Sequence, residues 1–246
     1  MCESSQASPD GGRQDRRGFL KVPAAAAVVG LLGGGLAHGD GLTKRQRDRL
    51  TPDEILAALK DGNEHFRKGE GVRRNYLAEQ KASAKAQYPA AVILGCIDSR
   101  APAEVIMDQG IGNVFNCRVA GNIINDDILG SMEFACKVSG SKLILVLGHS
   151  NCGAIKGAVD NVQLGNLTEL LDKIKPAAAQ VPNDVQPRTS KNDDFVQKTA
   201  DANVRLVMEQ IRERSPILRE MLDAGTIALE GGMYNLATGE VHLWPK

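Results

Sequence analysis

Aromatic side chains are scarce in this chain, with one Trp, three Tyr and five Phe in 246 residues. So thin a set offers no platform on which nucleic-acid bases would stack. An excess of charge of one sign is also missing. The 30 Lys and Arg balance the 30 Asp and Glu, which leaves no basic face for a phosphate backbone. Nucleic acid is therefore not an expected partner. No internal repeat and no long low-complexity tract follows residue 40. What remains is a stretch of about 200 residues, the size of one α/β domain with a sizeable core.

The elements follow from periodicity and caps. Thr51-Pro52-Asp53-Glu54 supplies an N-cap, a Pro at the first helical position and a Glu three residues after the cap. A helix is expected to run from there to about Lys68, with Ile55, Leu56, Leu59 and Phe66 on its buried face. Residues 91–95 and 143–147 are unbroken aliphatic runs, as strands covered on both faces require. A helix over about 127–138 separates them, and others are expected near 153–161, 167–180 and 194–214. Ser215-Pro216 opens one more, which stops at Gly225. Pro182, Asn183, Pro187 and Ser190 mark a surface loop. Residues 227–229 read as a strand, and residues 234–236 and 241–244 flank a turn at Thr238-Gly239. Strands alternating with helices predict a mainly parallel central sheet flanked by helices.

Cys96 ends the first aliphatic run, and His149 ends the second, with Cys152 close behind. Two thiolates and one imidazole make three ligands, one short of a closed tetrahedron. A structural zinc fills all four positions, whereas a catalytic zinc leaves the fourth for water. A buried Cys or His is by default a core residue, but Asp98, Ser99 and Arg100 follow Cys96 directly, where a core strand would stay apolar. Both ligand-bearing positions fall at carboxyl ends of strands, where sites on parallel sheets lie. A zinc in such a site brings its water to a pKa of about 7. Thiolates donate more charge than imidazoles, so help from neighbouring groups is needed. The spacing of Asp98 and Arg100 allows a bidentate contact that keeps the carboxylate ionised and free to accept a hydrogen bond from zinc hydroxide. The alternative for this pair is a structural ion pair capping a helix. Cys152 and Gly153 stand where the helix near 153–161 begins, a position that favours a thiolate and lets the glycine backbone approach the site.

Cys96-Ile97-Asp98-Ser99-Arg100 and Gly148-His149-Ser150-Asn151-Cys152-Gly153 together resemble a β-class carbonic anhydrase. Residues 55–66 look like that family's first helix and residues 231–241 like its closing hairpin, so the resemblance covers residues 51–244. It implies one zinc per chain and reversible hydration of carbon dioxide to bicarbonate by a zinc-bound hydroxide. It also implies Gln87, Phe115 and Phe134 at the substrate pocket, beside Gly153, with groups drawn from both chains of a homodimer or higher oligomer. In some members the residue matching Asp98 ligates zinc itself at low pH, a closed state. Two other readings stand beside this one: a carbonyl sulfide or carbon disulfide hydrolase on the same zinc set, and a non-catalytic zinc-binding protein. The second has no use for an Asp98–Arg100 pair.

The first 40 residues carry a different signal. Asp15-Arg16-Arg17-Gly18-Phe19-Leu20-Lys21 precedes an Ala/Gly-rich apolar stretch over residues 22–37. This layout resembles a bacterial twin-arginine export signal. The stretch is too short and too glycine-rich to span a membrane. Residues 1–40 are thus expected to be a signal peptide, residues 41–246 the enzyme domain, and the location periplasmic or otherwise exported. Cys2 belongs to the leader. Cys117, in an expected strand, and Cys136, in an expected helix, read as small buried hydrophobes, although an exported protein meets oxidising conditions.

Overall fold

The computed structural model describes residues 41–244, so the proposed signal peptide lies outside the described residues. Five strands form one sheet in the order β2-β1-β3-β4-β5. They are β1 (Ala91–Gly95), β2 (Val114–Arg118), β3 (Leu143–His149), β4 (Ala228–Tyr234) and β5 (Val241–Leu243). The first four run parallel, and β5 turns back antiparallel to β4. The expected mainly parallel sheet flanked by helices is the observed architecture.

Alternation along the buried strands splits the interior in two. Val92, Leu94, Ile144 and Val146 face one side, under the 22-residue helix Asp193–Arg214. Ile93, Leu143, Leu145 and Leu147 face the other, under the helix Pro52–Lys68. Every residue of β1 and β3 is buried, which is why both read as unbroken aliphatic runs. Thr51 and Glu54 close the expected capping box, and Gly69, at φ 68°, ends that helix in the left-handed region.

Three elements differ from expectation, two of them for plain physical reasons. The helix expected over 167–180 is two, Gly165–Asp172 and Lys175–Gln180. Pro176 brings no N–H, and its ring would clash with the carbonyl of Asp172. The helix Asp126–Glu133 continues into a π-helical turn, Phe134–Val138. Residues 227–229 and 234–236 are not two short strands; one strand, β4, runs through Gly231 and Gly232. These glycines are places of close approach rather than breaks. A Cβ on Gly232 would lie 2.8 Å from the His242 carbonyl oxygen, and one on Gly231 would lie 2.4 Å from the Met208 sulfur. Three short helices, Lys44–Arg49, Tyr76–Ser83 and Ala103–Ile106, were not expected.

No helix among the described residues is long and apolar enough to cross a membrane. Gly232→Ala should push β5 off β4 and lower stability by about 1–3 kcal/mol, the usual cost of forcing extra atoms into a packed site. Urea unfolding of the two proteins measures it.

Candidate metal centre and active site

In-register pairing builds the site. Gly95 of β1 lies opposite Leu147 of β3, so the residues that follow leave the sheet side by side. Cys96 follows β1, and His149 is the last residue of β3. Cys152 is the N-cap of the helix Gly153–Val159. The two sulfurs are 4.0 Å apart, and the two Sγ atoms and an imidazole nitrogen all lie within 4.8 Å of one another. All three residues are buried.

The imidazole is oriented for coordination. His149 Nδ1 is 2.9 Å from the Ser150 carbonyl oxygen. A carbonyl only accepts, so Nδ1 carries the proton and Nε2 keeps its lone pair. Nε2 is buried and has no hydrogen-bond partner. A lone pair stranded beside two thiols is costly without an electrophile, and a zinc ion satisfies all three groups.

The thiols are not equivalent. The contact with Cys152 is the largest influence on Cys96 and, with the Gly121 N–H and against the penalty of burial, holds its thiol well below the usual range. Cys152 is pushed upward, first by its bond to Cys96 and then by burial. The expectation that the helix N-terminus favours the Cys152 thiolate is met by its backbone N–H groups. The Ala154 and Ile155 N–H groups do favour its thiolate, but the neighbouring sulfur outweighs them. Both sulfurs must be deprotonated to ligate a metal, so binding releases protons.

Asp98 and Arg100 stand beside this set. Asp98 Oδ1 accepts from the Arg100 backbone N–H and Nε, both at 2.9 Å, and Oδ2 accepts from Nη2 at 2.8 Å. The Arg100 hydrogen bonds hold the Asp98 carboxyl far below the usual range, despite some opposing desolvation. The nearby helix Ala103–Ile106 has Pro102 as its N-cap and no side-chain cap, so this pair does not cap it. Asp98 Oδ2 is 3.8 Å from His149 Nε2. The carboxylate is thus engaged by Arg100, at the border of the ligand set.

The loop is fixed by groups that the sequence did not single out. Arg118, the last residue of β2, donates from Nε to the Cys96 carbonyl at 2.8 Å and from Nη2 to the Asp98 carbonyl at 2.5 Å. The Gly121 N–H donates to Cys96 Sγ at 3.3 Å. A polar residue at a strand end level with Gly95 is a usable signal for Arg118. Gly121 has none.

The expected substrate-pocket residues are not all gathered by one chain. A Cβ at Gly153 would meet no atom within 4 Å, so the space beside Cys152 is open. Phe115 and Phe134 form an edge-to-face pair with centroids 6.2 Å apart. They line a separate cavity of about 560 Å³ with Cys117, Asp126 and Ser131. Gln87 is exposed on the segment before β1. Cys117 and Cys136 are free thiols against the core that holds the ligand cysteines, and burial pushes both upward, Cys136 to about 12.

Comparison with known proteins agrees with this geometry. A sequence model of the family described as carbonic anhydrase matches residues 91–241. The chain is 36% identical over 198 residues to a carbonic anhydrase of Mycolicibacterium smegmatis, covering 78% of this chain and 93% of that relative. The β-carbonic anhydrase CafA of Aspergillus fumigatus superposes with a TM-score of 0.62 at 27% identity, covering 78% of this chain and 91% of CafA. A tetrameric β-carbonic anhydrase of Sordaria macrospora shares the fold at 23% identity, with a TM-score of 0.62 over 79% of this chain and 98% of its own. The sulfur–imidazole set, the Asp98–Arg100 pair and the parallel sheet thus sit on a chain that belongs to the β-class carbonic anhydrase family.

Proposed function

We propose that this protein catalyses the reversible hydration of carbon dioxide to bicarbonate and a proton, with one zinc held by Cys96, His149 and Cys152. The observation that carries the reading is the buried, unpartnered His149 Nε2 facing two sulfurs, with an ionised carboxylate beside it. Zinc, when bound, supplies the Lewis acid that makes water a nucleophile near neutral pH.

The chain's own residues do the rest. His149 is held in one tautomer by the Ser150 carbonyl, which orients its lone pair and raises its basicity. Asp98 is an acceptor only. With both oxygens on Arg100, it takes a hydrogen bond from the attacking water and fixes the direction of its free lone pair. Arg118 holds the backbone of both Cys96 and Asp98, so ligand and acceptor keep a constant separation. A storage site needs none of this machinery. Gln87, Phe115 and Phe134 complete the pocket when a second chain is present, and association into a homo-oligomer is supported by the shared fold with a tetrameric family member.

We further propose that Arg16 and Arg17 direct export of the folded protein and that residues 1–40 are then removed. The paired arginines and the apolar stretch after them support this. Folding before export lets zinc cover two sulfurs only 4.0 Å apart before they meet an oxidising compartment.

Cys152→Ser should lose zinc and carbon dioxide hydration together; elemental analysis showing stoichiometric zinc in that variant would remove the ligand assignment. Asp98→Asn should retain zinc yet lose about 100-fold or more of kcat, the usual worth of a positioned proton acceptor, as read by stopped-flow hydration. Replacing Arg16 and Arg17 with Lys should leave active, unprocessed protein in the cytoplasm. Fractionation that finds the natural chain uncleaved in the cytosol would refute the export proposal and leave the catalytic reading intact.

A further inference from the structure

We propose that Asn203 is a positioning residue for the metal centre, one that keeps the Gly121 N–H on the Cys96 sulfur. The inference rests on the zinc reading above and extends it to a residue remote from the ligands in sequence.

Asn203 lies on the inward face of the helix Asp193–Arg214, which also buries Ala200, Val204 and Val207. It is 1% exposed. An apolar residue would suit that face better, because Asn203 Oδ1 is buried with no hydrogen-bond partner, an arrangement that costs stability. Its amide nitrogen has a definite task. Nδ2 donates to the Gly121 carbonyl at 2.8 Å, across 82 residues of sequence. The carbonyl accepts only, so the orientation of the amide is fixed.

Gly121 is the other end of the relay. It sits at φ 68° within the 3-10 turn Ala120–Asn122, and Asn122 follows at φ 43°. That φ favours glycine, and a Cβ there would also crowd Ile174 Cδ1 at 2.6 Å and the Ala154 Cβ at 3.2 Å. Glycine is also the residue least able to hold such a conformation unaided. Asn203 anchors the peptide on one side of its Cα, and the peptide on the other side donates to Cys96 Sγ at 3.3 Å.

The consequence is electronic. Two thiolates and a neutral imidazole neutralise a dication and blunt its acidity. A hydrogen bond to a ligating sulfur draws charge away from the metal, and such outer contacts set both the affinity and the acidity of a site. Asn203 touches no ligand and acts only through Gly121.

Asn203→Leu preserves approximate size while removing both the donor and the stranded oxygen, and so should fold. Chelator competition should then show zinc released about 10-fold more readily, because the Cys96 loop loses its anchor and this loss of positioning outweighs the stronger donation of the freed sulfur. With cobalt(II) in place of zinc, the sulfur-to-metal charge-transfer band should move to lower energy, since the sulfur becomes a better donor. Natural zinc affinity and an unmoved band in a folded variant would overturn the proposal. Failure of the unsubstituted protein to take up zinc at all would instead sink the underlying metal reading. If Asn203→Leu does not fold, NMR of the unsubstituted protein loaded with a magnetic isotope of cadmium decides the matter. Scalar coupling between the metal and the Gly121 amide proton through the Cys96 sulfur is expected, and its absence would remove the contact through which Asn203 acts.

Discussion

The parallel pairing of β1 with β3 is the interaction on which everything else depends. Its register sets Gly95 beside Leu147, and only then do Cys96 and His149 emerge as neighbours from two segments far apart in sequence. The pairing is held by burial on both faces, with Val92, Leu94, Ile144 and Val146 in one core and Ile93 and Leu145 in the other. Fully buried strands have no exposed face to slide along, so the register is specified by packing alone. The hydrophobic core sets where the ligands emerge, and polar contacts then fix their orientation.

Against that rigid frame the site carries an electrostatic tension. Two sulfurs, an imidazole and a carboxylate meet in a space from which water is largely excluded. Asp98 turns to Arg100, and the two sulfurs lean on each other. Each adjustment leaves something unsatisfied, most plainly the Nε2 of His149. The polar network is complete only around a metal, which is a physical reason to read it as a metal centre.

Much of this was legible in the sequence, for reasons that differ by element. β1 and β3 announced themselves because burial on both faces leaves unbroken aliphatic runs. The helix after Thr51 was plain because its cap chemistry is local. β4 was misread because Gly231 and Gly232 look like punctuation, whereas they admit Met208 and the backbone of His242; a close approach by distant residues leaves no local trace. The helices Lys44–Arg49 and Tyr76–Ser83 are too short for a helical period to show. At the site, the ligands stood out because few residue types bind zinc. Arg118, Gly121 and the Ser150 carbonyl did not, since they act on or through backbone atoms that every residue possesses. The Phe115–Phe134 pair and Gln87 are separate from the ligand set in a single chain, so a sequence reading that assigns them to one pocket depends on a second copy.

The Arg118 clamp has a practical corollary. β2 is the outer strand on one side of the sheet, and its last residue grips the carbonyls of both Cys96 and Asp98. Strain applied to that margin is delivered to the chemistry through two hydrogen bonds. If the protein were anchored to a resin or an electrode, attachment beside β2 would load the centre directly.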